Sequence, residues 1–595
     1  MSYTVEFKPS GLTVACTRGK PLMEAVRQAG IALQSVCGGS GRCGRCRVKI
    51  LSGPAPPPSA EETMKLAGPD LANGCRLACQ FRVAGNTIVE IPSPSLIQKI
   101  AVTLQGMELA SPLEPSVHDF LIEVGSFKRH SPQAALNCIL RELRDRYHQA
   151  IAGIDTAALA YLPQALREGK GKVRVSLRAG EVIAFRHSDK TPYGVAIDLG
   201  TTTMAGYLVD LENGKLLSAL AVINPQRPYG EDVMSRIAYV LEKGDRELRT
   251  AAIEGLNVLI ASLCSETERI VDMTLVGNTA MHHIFLGLPV KQLGLTPHRP
   301  ALREARECKA RDLELRGAPG ASVHLLPPVD GFVGSDHVAM ILATGLHETD
   351  RTVLGLDIGT NTEIALVHRG KIRSVSCASG PAFEGGHITH GTWASAGAIN
   401  KVMLRSPAVA FQTIGDTPPH GLCGSGILDA IAELVRLGII DRKGHLITHR
   451  DTGFPHQSGD FTLVPGEKTA TGRAITISQT DVSEVQLAKA AVRAGIDMLL
   501  HATGITWEGV EEVILTGGCG AVLDPAAAID IGMFPPFRLD QIRLMEQAAG
   551  AGALRCLISV SERAKAEALA RQITHLELMT HPAFKKRFGQ AMYFP

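Results

Sequence analysis

The sequence predicts a multidomain α/β protein, and three observations carry that prediction. At 595 residues the chain exceeds what one hydrophobic core can hold, so three or four domains are expected. Five of its 13 cysteines crowd between Cys37 and Cys79, inside a stretch that reads as a small α+β unit. A strand–loop–strand unit also occurs twice, headed by Asp198 and again, 159 positions later, by Asp357. Such a repeat implies two related halves facing one another. The composition, 45% hydrophobic and 20% charged, is that of an ordinary globular protein.

Several classes drop out early. A net charge of +2 gives no case for a nucleic-acid partner. The opening residues, Met1 to Lys8, contain no basic segment followed by an apolar one, so no signal peptide is expected. No apolar stretch approaches the ~20 residues of a spanning helix, so no membrane partner is expected either. A cytoplasmic protein is predicted. In a reducing compartment a cysteine cluster reads as metal binding, not as a disulfide framework.

Residues 3–17 alternate as two strands around Pro9-Ser10-Gly11, and 21–30 form a helix opened by Pro21 and closed by Gly30. Strands at 46–52, 80–84 and 87–92 complete a first domain, 1–95. Residues 96–112 read as a linker, and 113–190 as a small α+β middle domain with a helix near 133–150 and a strand pair around 172–185. No chemistry is assigned to it. The first repeat, 191–345, carries a hairpin at Glu212-Asn213-Gly214. The second, 346–595, has strands 363–367 and 371–376 around Arg369-Gly370. Helical stretches follow at 425–438, 481–503 and 540–550, with a short strand at 513–515.

Within the cysteine loop, five residues separate Cys37 from Cys43 and two separate Cys43 from Cys46, while Cys75 and Cys79 lie far downstream. Three thiolates in one loop plus a distant fourth is the arrangement of a [2Fe–2S] ferredoxin. Gly38, Gly39 and Gly41 let the backbone turn tightly and aim N–H groups at bridging sulfides. The alternative is a structural zinc site from Cys43, Cys46, Cys75 and Cys79. It leaves Cys37 and the glycines unexplained. The five-residue first gap resembles the adrenodoxin-like branch of the ferredoxins, and so does Arg76-Leu77-Ala78-Cys79-Gln80. That resemblance implies a β-grasp ferredoxin domain with Cys37, Cys43, Cys46 and Cys79 as ligands, Cys79 being taken over Cys75. The first 95 residues hold 11 Lys and Arg against 6 Asp and Glu, a local excess that makes Arg42, Arg45 and Arg47 a candidate docking face.

No Gly-x4-Gly-Lys-Ser/Thr is present, so this is not a P-loop protein. Instead each repeat opens with an apolar strand leading into Asp-x-Gly-Thr-x-Thr. In the first loop Gly200, Thr201, Thr202 and Thr203 offer backbone and hydroxyl donors to phosphate oxygens. In the second, Gly359, Thr360, Asn361 and Thr362 do so. Asp198 and Asp357 can hold Mg²⁺, through water because that ion gives up hydration reluctantly. A third element, Leu515-Thr516-Gly517-Gly518-Cys519-Gly520, supplies Gly517, Gly518 and Gly520 where an adenosine could lie. Cys423-Gly424-Ser425-Gly426 opens a helix suited to an anion or nucleotide. Glu384 is a candidate for orienting an attacking water, with a surface-loop carboxylate as the alternative. His387 and His390 could form a metal site with Glu384, but a polar pocket lining is the preferred reading. Gly518-Cys519-Gly520 as half a dinucleotide fingerprint lacks the rest of its pattern. In order, the two aspartate loops and the glycine segment resemble the phosphate and adenosine motifs of the acetate/sugar kinase–Hsp70–actin superfamily. This implies a duplicated actin-like, sugar-kinase-like ATPase.

Taken whole, the chain resembles the ATP-dependent reductive activators of corrinoid proteins, down to the ending Ala591-Met592-Tyr593-Phe594-Pro595. The resemblance implies a [2Fe–2S] cluster, ATP and Mg²⁺ as cofactors, and a corrinoid methyl-carrier protein as client. The client's inactive Co(II) is returned to Co(I) by one electron from the cluster. It also implies an upstream electron donor; a homodimer is left open. Two rivals are a small-molecule kinase with an accessory redox domain and a plain ferredoxin-type electron carrier. Intact Asp198 and Asp357 argue against the second.

Overall fold

A computed structural model describes residues 2–29, 31, 33, 41, 44, 46–92, 95, 99–101, 111–124, 132–405, 408–447, 456–457, 459–520 and 522–595. The N-terminal unit is a five-stranded mixed sheet. Ser2–Lys8 pairs antiparallel with Leu12–Thr17 and parallel with Thr87–Glu90, which in turn pairs with Arg47–Ser52, and Cys75–Leu77 forms the far edge. The helix Leu22–Gln28 buries Leu22 and Val26 with Val5, Phe7, Phe81 and Val89 in a core of its own. This is a β-grasp arrangement. The strand expected at 80–84 is absent: Cys75–Leu77 takes the edge position and Arg82 makes only an isolated bridge with Pro21. A buried ion pair explains the shift. Glu62 accepts from Arg76 Nε and Nη2 at 2.9 and 2.8 Å and from the Leu77 amide at 2.9 Å, fixing the chain just before Cys79.

A four-stranded sheet follows, with His118–Glu123, Lys172–Arg178 and Glu181–His187 antiparallel in sequence and Gly153–Ile154 at the edge. The helix Pro132–Asp145 ends earlier than the expected 133–150.

The two repeats fold alike. In the first, Tyr193–Leu199, Thr203–Asp210 and Lys215–Ile223 form an antiparallel meander, and Ile270–Gly277 and Ser322–Leu325 add parallel strands on the far side of Tyr193–Leu199. In the second, Val353–Ile358, Thr362–His368 and Lys371–Cys377 form the meander, and Glu512–Thr516 and Ile542–Leu544 the parallel additions. Ile270–Gly277 is buried at all eight positions, as a strand covered on both faces requires. The expected helix at 540–550 begins instead at Ala548, after the strand Ile542–Leu544 and Gln547, whose φ is +52°.

Two features depart from the sequential division of the chain. The supposed linker supplies Lys99–Ala101 as an edge strand of the first repeat's sheet, antiparallel to Leu220–Val222. The helices Ala548–Ile558 and Val560–Gln572, late in the second repeat's sequence, return to pack in the first repeat's core with Tyr207, Leu275 and Val338. No helix of the described residues is long and apolar enough to cross a membrane.

Asp272 ties three of these parts together. It is fully buried and accepts from Ser116 Oγ at 2.6 Å and Arg178 Nη1 at 2.8 Å in the four-stranded unit, and from Arg563 Nη2 at 2.6 Å on the returning helix. Replacing Asp272 by Ala leaves Arg178 and Arg563 with only the half-exposed Glu307 as a shared carboxylate, and removing one partner of a buried pair costs up to about 3–5 kcal/mol. We expect a clearly lower denaturation midpoint for Asp272→Ala, whereas Arg538→Ala, which breaks an exposed pair with Asp540, should leave the midpoint in place. Equal midpoints for the two variants would remove Asp272 from this role.

Candidate active site and cluster-binding thiols

In the N-terminal unit, Cys46 and Cys79 are buried with Cys46 Sγ donating to Cys79 Sγ at 3.4 Å and no disulfide between them. Two thiolates on one tetrahedral metal with bonds of about 2.3 Å sit roughly 3.7 Å apart, so the pair fits shared ligation of one metal ion. Gln80 Nε2 lies 3.6 Å from the Cys79 sulfur. Gly41, at φ +78°, has no room for a side chain: a Cβ there would lie 2.9 Å from both Gln80 Nε2 and Glu61 Cβ. Cys75 is only half-buried on its edge strand, and burial and nearby Asp70 push its thiol up. Cys37, Cys43, Gly38, Gly39, Arg42 and Arg45 lie outside the described residues.

The aspartate loops meet across a cleft between the repeats. Thr202 Oγ1 and Thr360 Oγ1 are 2.7 Å apart, and Thr360 Oγ1 donates to Glu384 Oε2 at 3.0 Å, which leaves Thr202 donating to Thr360. Each loop is held from behind. Asn224 donates through Nδ2 to the Gly200 carbonyl at 2.8 Å and through its amide to that of Thr202 at 2.8 Å; Arg236 Nη2 donates to that of Thr201 at 2.6 Å. Asn224, Gln226 and Arg236 are all fully buried. In the second loop Ser379 Oγ lies 3.1 and 3.3 Å from the Gly359 and Thr360 carbonyls and 2.8 Å from Thr362 Oγ1.

A cavity of about 140 Å³ lies between the loops, lined by Gly200, Thr201, Thr202, Thr203, Gly359, Thr360 and Asn361 among others. Asp198, Asp336, Asp357 and Glu363 share its wall. Burial and mutual repulsion raise Asp198 and Glu363 well above the carboxylate range and Asp357 to about 7. Burial likewise raises Asp336. Four such groups at one wall are relieved by a cation. Among the described residues no three His, Cys, Asp or Glu side chains converge to ligate a metal directly.

A larger cavity of about 700 Å³ opens from the same wall and is lined by Gly424, Ser425, Gly517 and Gly518. Gly517 has φ +94°, and a Cβ there would fall 2.4 Å from Asp357 Oδ1. Gly520 closes the one-turn helix Gly517–Gly520. Gly426 lines neither cavity; a Cβ on it would fall 2.1 Å from the Ile399 carbonyl, so its role is close packing. Thr362 is likewise buried behind the loop.

Glu384 faces both cavities and is not a surface-loop carboxylate; burial raises it, although the hydrogen bond from Thr360 acts against this. His387 does not join it in a metal site. It bridges Glu231 at 3.0 Å and Glu484 at 3.5 Å, and Arg227 stacks 4.7 Å over Trp393 nearby, so two further contacts cross the cleft. Sequence reasoning missed Asp336, Glu363, Asn224, Arg236 and Ser379. Only the position of Asn224 and Ser379 just after the third meander strand could have signalled them.

Comparison with known proteins matches four regions of the chain to family models. Residues 351–595 match the family described as "C-terminal domain of RACo the ASKHA domain", 193–349 the "RACo middle region", 108–192 the "RACo linker region" and 5–84 the "2Fe-2S iron-sulfur cluster binding domain". The corrinoid activation enzyme RamQ of Eubacterium limosum is 32% identical over 579 residues, covering 94% of this chain and 93% of RamQ. The Co(II) methylated amine-specific corrinoid protein reductase of Methanosarcina barkeri is 25% identical over 376 residues, 58% of this chain and 66% of that protein. The solved structure of a reductive activator for corrinoid, iron-sulfur protein superposes with a TM-score of 0.72 at 32% identity, covering 100% of this chain and 98% of that one.

Anaerobically prepared protein is expected to hold two irons and two sulfides per chain. Cys46→Ser and Cys79→Ser should each disrupt that cluster, and Cys75→Ser should leave its visible spectrum intact. Bleaching by Cys75→Ser with Cys79→Ser still coloured would reverse the assignment.

Proposed function

The chain belongs to the family of corrinoid activation enzymes, and from that membership we propose that it couples ATP to the one-electron reduction of a corrinoid protein's inactive Co(II) to Co(I). The observation that carries the reading is the pair of aspartate loops meeting hydroxyl to hydroxyl, in the same chain as a buried thiol pair in contact at 3.4 Å. The [2Fe–2S] cluster, held by Cys37, Cys43, Cys46 and Cys79, supplies the electron; an upstream donor replaces it.

In the cleft, Thr202 and Thr360 give up their mutual hydrogen bond to donate to phosphate oxygens. Asp198 and Asp357, with Asp336 and Glu363 beside them, orient the waters of Mg²⁺. Glu384, within reach of both threonines, accepts a hydrogen bond from the attacking water and aligns it. Arg236 stays charged at neutral pH although burial and nearby Arg227 lower it to about 9, so its field favours anionic phosphate at the first loop.

Coupling is needed because each 59 mV of unfavourable one-electron potential is a factor of ten in equilibrium. Nucleotide that engages both loops favours the closed cleft over the open one, and its differential affinity sets how far the equilibrium moves. Cytoplasmic placement is part of this proposal, and so is association with the client through the cluster end, with Arg47 on its rim. A homodimer would be compatible with it.

Asp198→Ala and Asp357→Ala should each abolish ATP-dependent conversion of Co(II) to Co(I), followed by absorbance, with the cluster spectrum unchanged. Wild-type hydrolysis should be slow alone and rise with the Co(II) corrinoid protein. Full activation by either variant would rule out the two-loop clamp, and rapid hydrolysis independent of client would favour a small-molecule kinase.

A further inference from the structure

The cleft reaches past the phosphate loops. Asp198, Thr202, Asp357 and Glu384 line both cavities, whereas Asn400 and Asp429 line only the larger one. A triphosphate held between the loops therefore projects its nucleoside toward Asn400 and Asp429. Asp429 lies on the helix Gly424–Arg436 and is 6% exposed. Its Oδ2 receives only a long hydrogen bond, 3.4 Å, from the Val402 amide, and its Oδ1 is buried with no partner among the described residues. Asn400, on the strand Ala398–Arg405, has its Oδ1 buried in the same unpartnered state.

Buried acceptors without a donor are rare in folded proteins, and two on the wall of one ligand-sized cavity point to a ligand that brings donors. Burial pushes Asp429 up to about 6, so at neutral pH it is ionised and can only accept. Ile414, Val522 and Leu523 give the same cavity apolar wall for the face of a base.

We propose that Asn400 Oδ1 and Asp429 Oδ1 select the nucleoside by accepting hydrogen bonds from its donors, the amino group of adenine or the ribose hydroxyls. The inference rests on the nucleotide reading of the cleft and names the residues that decide which nucleotide enters. A base that presents a carbonyl oxygen where adenine presents its amino group meets a carboxylate there and is rejected. Such rejection is steep because it leaves buried groups unpaired.

The test is binding by the full-length protein, with Mg²⁺, of ATP, purine riboside triphosphate (no amino group), 2′-deoxyATP, 3′-deoxyATP and inorganic triphosphate. Wild type is expected to bind ATP at least about tenfold more tightly than one or more of the three analogues, the scale of a hydrogen bond to a charged group. Which analogue loses affinity identifies the donor. Asp429→Asn and Asn400→Leu should weaken ATP by a similar factor, abolish that discrimination and leave inorganic triphosphate unchanged. Wild type that binds ATP and all three analogues alike overturns the inference. So do variants that keep wild-type ATP affinity, and variants that lose inorganic triphosphate as well, because the defect would then be structural. Wild type that binds no nucleotide overturns the reading of the cleft itself, a distinct result.

Discussion

Thr202 and Thr360 touch at 2.7 Å although 158 residues of chain separate them, and the rest of the cleft is arranged to hold the backbone behind each. A loop of glycine and threonine has little shape of its own. Here the shape comes from carbonyls turned outward and bonded: three on the first loop by Asn224 and Arg236, two on the second within reach of Ser379. Both props stand in the same place, just past the third strand of each meander. The duplication therefore preserved the support as well as the loop, using an amide side chain in one half and a hydroxyl in the other.

That contact also brings like charges together. Asp198 and Asp357 end the strands that lead into the loops, Asp336 begins a helix beside them and Glu363 follows on the adjacent strand. Their raised pKa values register the strain of this gathering. Bare phosphate would add to it, whereas phosphate with Mg²⁺ relieves it. On the proposed reading, the cleft would favour the metal complex over free nucleotide. Arg236 works from the other side, as a buried cation whose oxygen partners are two carbonyls and an amide, not a carboxylate, so its field is not cancelled locally.

How much of this was legible in the sequence follows from what each feature depends on. The repeat and the glycine segment are local patterns, and both appear at the expected positions; of the cysteine pattern, Cys46, Cys75 and Cys79 fall within the described residues. Glu384 was legible as a residue but not as one facing the cleft, because Thr202, which lines the same two cavities, lies in the other half. Arg236 and Asp336 carry no local signal; each matters only through the fold around it. The expected strand at 80–84 gave way to Cys75–Leu77 because the Glu62–Arg76 pair, invisible to alternation, sets the register. The expected helix at 540–550 failed because Ile542–Leu544 joins a parallel sheet edge that only the fold supplies.

The return of Ala548–Ile558 to the first half is the consequence hardest to foresee. Ala548 and Ala549 line the large cavity at one end of this helix. At the other, the Ile558 carbonyl accepts from the Glu114 amide at 2.8 Å, the Val560 amide donates to the Glu114 carbonyl at 2.9 Å, and Ser559 Oγ donates to Glu114 Oε2 at 3.2 Å. Eleven residues at 1.5 Å each make a rod of roughly 16 Å between the nucleotide end and the start of the four-stranded unit. The rod is packed hard along its length: a Cβ on Gly550 would fall 2.3 Å from Tyr207 Oη, and one on Gly552 2.0 Å from the Ala339 carbonyl. Just beyond it, Arg563 reaches Asp272 and shares that carboxylate with Arg178. The chain leading from the N-terminal unit is pinned to the same half, at Lys99–Ala101 and at Glu114. A displacement at Ala548 thus meets Glu114 through helix alone, with no intervening loop to absorb it.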